Sequence, residues 1–157
     1  MAREQPIELF MPPNLLKAKV GAGGFSPAAI ARAETAMATL KDNFESWMQA
    51  DVRRLDVAHG LYAEKSDART LRDLLRAAHD LKGQAGTFDY PLIARVAGSL
   101  CNLIQDLAPG RELSRALVDA HVNAIQAIYR DGAVEATTDV ALALAVELET
   151  RVAQALG

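Results

Sequence analysis

From Ile30 onward, apolar residues recur at intervals of three and four. Ile30, Ala33, Met37, Leu40, Phe44, Trp47 and Met48 mark one face of a helix, and the pattern runs on through Val52, Leu55 and Leu61 without a proline. Ser26 is placed to cap this helix and Pro27 suits its first turn. The spacing accommodates one helix over 27–64, or two with a break near Ala50–Asp51. A second cap stands at Ser66 or Asp67. After it, Leu71, Leu74, Ala78, Leu81 and Ala85 form a narrow apolar stripe. The segment GTFDYP turns the chain, and Pro91 opens a third helix whose buried side carries Leu92, Ile93, Val96, Leu100, Leu103, Ile104 and Leu107. APG at Ala108–Gly110 ends it. A helix over about 112–130 stops at Asp131–Gly132, and the last runs from about 138 to 156. Short connections join antiparallel neighbours, so the pattern predicts an all-α bundle.

Residues 1–25 break this regularity. MPPN and GAGG disfavour helix, yet Ile7, Leu9, Phe10, Leu15, Leu16 and Val20 are too apolar for a free tail. An irregular segment packing on the domain is expected there, with the helical bundle over 26–157.

Composition changes this picture only at the margins. The 157 residues suffice for one domain with a real core, and 50% of them are hydrophobic. A net charge of −3 argues against nucleic-acid binding. No apolar run of membrane-spanning length occurs, and the first twenty residues lack the apolar core of a secretory signal. The single cysteine, Cys101, excludes an intrachain disulfide, so a reducing cytoplasmic setting is expected.

The candidate chemistry lies in AHDLKGQAG, Ala78–Gly86. At about 100° per residue, His79 falls on the flank of its helix, roughly 120° from the centre of the apolar stripe. Arg72, Leu75, Arg76, Lys82, Gly83 and Gly86 share its ridge. An imidazole is in good part unprotonated near neutral pH and can act as a nucleophile. Lys82, one turn on, could offset the charge of a phosphoryl group. Gly83 would leave room for that group and for a second protein's active site. Gln84 could hydrogen-bond nearby. By spacing alone, an ordinary surface histidine followed by an ordinary lysine is the better reading. The glycines weigh somewhat toward a special role, because each costs a helix interior roughly 1 kcal/mol relative to alanine.

AHDLKGQAGTF resembles the signature of histidine-containing phosphotransfer (HPt) domains, His-x-x-Lys-Gly followed by small residues. The resemblance is close over 67–108 and looser elsewhere. It implies an up-down antiparallel four-helix bundle with additional flanking helices, of the monomeric type. It implies that His79 is the phosphorylated residue, with Lys82 assisting the phosphoryl group, Gly83 giving clearance and Gln84 hydrogen-bonding near the site. It further implies a carrier in a bacterial two-component phosphorelay, whose partners are response-regulator receiver domains and a histidine kinase. No cofactor of its own is implied, and the divalent metal belongs to the partner receiver. One departure stands out. A glycine often follows the phenylalanine at the turn, and here Asp89 does, so an altered turn is expected.

If that turn centres near Phe88–Asp89, His79 faces Gly98, with Ala94, Cys101 and Gln105 on the same flank. Arg72, Leu75, Arg76, Gly86 and Gly98 are then candidates for partner docking. Cys101 is read as a small buried filler in preference to a site residue. His59 and His121 lack further ligands at metal-binding spacing and read as surface or boundary residues. Arg53 and Arg54 read as part of a solvated face. No phosphate-binding loop is present, and no ATP-binding domain accompanies the bundle, so autokinase activity is not expected. The alternative reading is a degenerate HPt-like module that binds signalling partners and transfers nothing. A lyase or hydrolase with His79 as general base is weaker still.

Overall fold

The computed structural model describes residues 26–131 and 139–157. The irregular segment expected over 1–25 lies outside the described residues. Five helices follow in order: α1 (Pro27–Lys65), α2 (Ala68–Thr87), α3 (Pro91–Gln105), α4 (Arg115–Arg130) and α5 (Asp139–Leu156). No strand occurs among the described residues, as an all-α bundle requires.

The chain divides into two compact units, Met1–Leu40 and Lys41–Gly157. In the first, the described residues form the opening turns of α1, where Ser26 Oγ accepts from the Ala29 amide. Ile30, Met37 and Leu40 stand exposed there. In the second unit, Met48, Val52, Leu55, Ala58 and Tyr62 are the apolar residues that α1 buries, while Trp47 and Leu61 stay exposed. The apolar stripe of α1 is thus wider than the face it buries. Between Ala50 and Asp51 there is no break, and α1 is one helix of 39 residues.

Local chemistry fixes the remaining ends. Asp67 and Thr70 form a reciprocal capping box at the start of α2, with the Thr70 amide 2.7 Å from Asp67 Oδ1. That amide, then the Thr70 hydroxyl, hold the Asp67 carboxyl below the usual carboxylate range. At the other end, Asp89 takes φ +66°, and the Tyr90 amide donates back to Ala85 O across it at 2.9 Å. This is the Schellman arrangement, in which a left-handed residue follows the helix. The turn keeps the geometry that glycine favours, contrary to the expected alteration, because aspartate enters the left-handed region at small cost. Pro91 opens α3, which ends at Gln105, before Ala108–Gly110.

The core sits around α3, which packs on α2, α4 and α5, and α4 also packs on α5. Leu74 and Leu81 of α2, Ile93, Leu100 and Leu103 of α3, and Val118 and Ile125 of α4 are fully buried. Hydrogen bonds join α1 to α4. His59 Nε2 meets Asp119 Oδ1 at 2.6 Å, Gln126 donates to Asp56 at 2.7 Å, and the Arg115 guanidinium donates to Ala63 O. His121, expected at the surface or boundary, is 0% exposed. Its Nδ1 meets Leu117 O at 2.7 Å and its Nε2 meets Ser99 Oγ at 3.0 Å. Two satisfied ring nitrogens make burial of a polar ring tolerable.

Candidate functional site

α2 presents two faces to its surroundings. Leu74, Ala78, Leu81 and Ala85 of the predicted stripe point into the core together with Ala77, while Leu71 packs only partly against it. His79 lies outside that stripe, and its side chain is 71% exposed. Nδ1 stands 4.0 Å from Asp80 Oδ1. His79 borders an open groove of about 350 Å³ that is also lined by Arg54, Asp80, Gly83, Gln84 and Thr87. Thr87 donates its hydroxyl to Gly83 O at 3.0 Å, one turn back on α2.

Gly83 lies on this groove, and a Cβ added there would meet nothing within 4 Å. No packing requirement therefore explains a glycine at this position. Gly83→Ala is expected to raise stability by roughly 0.5–1 kcal/mol, since alanine is the better helix residue. If His79 accepts a phosphoryl group, as the resemblance implies, the same variant should exchange it with a receiver more slowly, because its methyl would stand on the His79 flank. Thermal midpoint and exchange rate measured on one sample check both halves. A stabilised variant that exchanges at the normal rate would refute clearance.

Lys82, expected to assist a phosphoryl group on His79, rests toward α3. Its stem lies over Gly98 of α3, where an added Cβ would sit 3.5 Å from Lys82 Cε. It lines a second groove of about 450 Å³ with Arg95, Asn102, Asp106 and Glu149, among others. In that groove Arg95 and Glu149 form a two-pronged ion pair at 2.5 and 2.6 Å. The pair holds the Glu149 carboxyl below the usual carboxylate range, through the hydrogen bond first. An added Cβ at Gly98 would make ordinary van der Waals contact with this stem, and Lys82 atoms are the nearest to it. Lys82 remains an i,i+3 neighbour of His79 on α2, with its stem leaning toward α3.

The other expected residues sort by burial. Gln84 is half-buried in the His79 groove. Arg72, Arg76 and Gly86 are exposed, while Leu75 packs partly against the core. Cys101 is buried, as a filler would be, and burial pushes its thiol upward against the opposing charge of Lys82. Arg54, read from sequence as part of a solvated face, lines the His79 groove and pairs with the buried Asp51 at 2.8 Å. Asp80 lines it too. Nothing in the local spacing of α2 could have signalled Arg54, which arrives from another helix. No cluster of metal-binding side chains occurs among the described residues. No helix among them is long and apolar enough to cross a membrane.

No curated protein and no solved structure matched the chain. The family model described as Hpt domain matched residues 39–155, which takes in α1 from Thr39 onward, His79 with its groove, and nearly all of α5. An exposed helical histidine followed by a lysine and an unobstructed glycine, in an all-helical bundle matched over most of its length, identifies this chain as a member of the Hpt domain family.

Proposed function

We propose that this protein carries a phosphoryl group on His79 between receiver-domain aspartates, or from a histidine kinase to a receiver, in a two-component phosphorelay. The observation that carries the reading is the exposed imidazole on an open groove, beside a glycine that packing does not require. Nε2 is the nucleophile in this reading, with Nδ1 on the side of the ring that stands 4.0 Å from Asp80 Oδ1. Its lone pair attacks the phosphorus of an aspartyl phosphate. The N–P bond forms as the P–O bond breaks, and the electron pair leaves on the aspartate carboxylate. The positive charge gained by the ring lies near the Asp80 carboxylate. The reverse sequence delivers the group to the next aspartate.

This chain contributes position and electrostatics. The divalent metal is the receiver's, and no kinase activity belongs to the bundle. Arg72, Arg76, Leu75 and Gly86 flank the histidine on α2 and would meet the docked receiver. Gly98 no longer belongs with them, since it lies beneath Lys82.

The test is incubation with an aspartyl-phosphorylated receiver, followed by measurement of acid-labile, base-stable phosphate on this chain and its mapping to His79. Phosphate on His79 is the expected outcome. Stable binding of the receiver with no phosphate transferred would leave the partner-binding module as the correct reading.

A further inference from the structure

Resting on the phosphocarrier reading, we propose that Arg54 of α1 is the cation that binds the phosphoryl group on His79. Three observations converge on it. Arg54 lines the same groove as His79, Gly83 and Gln84, although it comes from a different helix. Lys82, the cation the sequence motif offers, rests its stem on Gly98 and lines the neighbouring groove. Asp51, one turn before Arg54, is 4% exposed and holds Arg54 Nη1 through Oδ1 at 2.8 Å.

The chemistry of the pair explains the arrangement. A buried carboxylate needs a charged partner, and Asp51 Oδ2 has no hydrogen bond, so Arg54 is the partner it depends on. Asp51 therefore fixes the base of the arginine. The guanidinium carries five N–H donors in a flat fork, and a single contact to Asp51 leaves others for a second anion. Its side chain remains 59% exposed. A phosphoryl group has the charge and the paired oxygens that such a fork recognises. Gln84 adds an amide on the same groove. Asp80 lines the groove as well. Arg54 touches the transferred group in this proposal, and Asp51 is the positioning residue behind it.

Phosphoramidate tests this without a receiver. His79 Nε2 attacks its phosphorus, the P–N bond breaks, and ammonia leaves. Phosphohistidine at position 79 of the wild-type chain must appear first, and its absence would refute the carrier reading itself. Given that product, the Arg54 Nε–H resonance should shift on phosphorylation. Arg54→Ala should be phosphorylated about tenfold more slowly, the loss of one hydrogen bond to a charged group, and its rate should depend less on salt. Arg54→Lys should recover part of the rate. An Arg54 resonance that does not move in the phosphorylated wild-type chain refutes the proposal, whatever the stability of the variants. An Arg54→Ala rate equal to wild type refutes it equally.

Discussion

His79→Gln should incorporate no acid-labile phosphate from any donor, and its unfolding free energy should stay within about 0.5 kcal/mol of wild type. The two halves of this expectation have separate origins. Glutamine has no ring nitrogen with a free lone pair, so no N–P bond can form and the loss is complete. The side chain is 71% exposed and lies outside the buried stripe of α2, so little packing is lost with it. Its one ionic neighbour, Asp80 at 4.0 Å, is half-exposed, and such pairs contribute little to stability. Phosphate incorporation and denaturant melts on the same preparation check the expectation. Phosphorylation that persists in this variant would place the acceptor on another residue.

The second large effect falls on the other well-placed histidine. His121→Ala should lower stability by about 3 kcal/mol or more, through the cavity it opens and the Ser99 hydroxyl and Leu117 carbonyl it leaves without a partner. A pH dependence accompanies this. Burial pushes the His121 ring below its ordinary value, and the bond to the Leu117 carbonyl opposes that only in part. The unfolded chain therefore takes up this proton first as the pH falls. His121 contributes its full stabilisation above about pH 6.5, and that stabilisation declines below it by at most about 1.4 kcal/mol per pH unit. The depressed carboxyls of Asp67 and Glu149 act in the same direction, but only at the lower pH where they take up protons. Melts between pH 7.5 and 5.5 should thus show a steeper loss for wild type than for His121→Ala. Equal slopes would mean that His121 takes up its proton alike in the folded and unfolded chains.

The helices were legible because periodicity reports on one chain segment at a time. The stripe from Leu74 to Ala85 set the inward face of α2, and His79 was outward as a direct consequence. Ser26, Asp67 and Pro91 marked helix starts through local chemistry, which needs no tertiary information. Periodicity could not say how much of an apolar face finds a neighbour, so Ile30, Met37, Leu40 and Trp47 looked buried and are exposed. Nor could it give the rotation of one helix against the next. That rotation puts Lys82 over Gly98, brings Arg54 to the His79 groove and buries His121 against Ser99. The candidate site was therefore readable as far as α2 itself supplies it. The contribution of α1 was not.

Gly83 and Gly86 have a consequence beyond the space they leave. Both lie on exposed positions of α2, and each gives up roughly 0.5–1 kcal/mol of helix stability relative to alanine. Local opening free energy falls where exposed, poorly packed residues accumulate. The stretch Gly83–Thr87, which is exposed at Gly83, Gly86 and Thr87, is therefore the soft end of a helix whose Leu74 and Leu81 are locked in the core. His79 stands on the rigid side of that boundary, within one turn of it. His79 is thus held by firm backbone, and a receiver docking as proposed would press on a surface just beyond it that can yield.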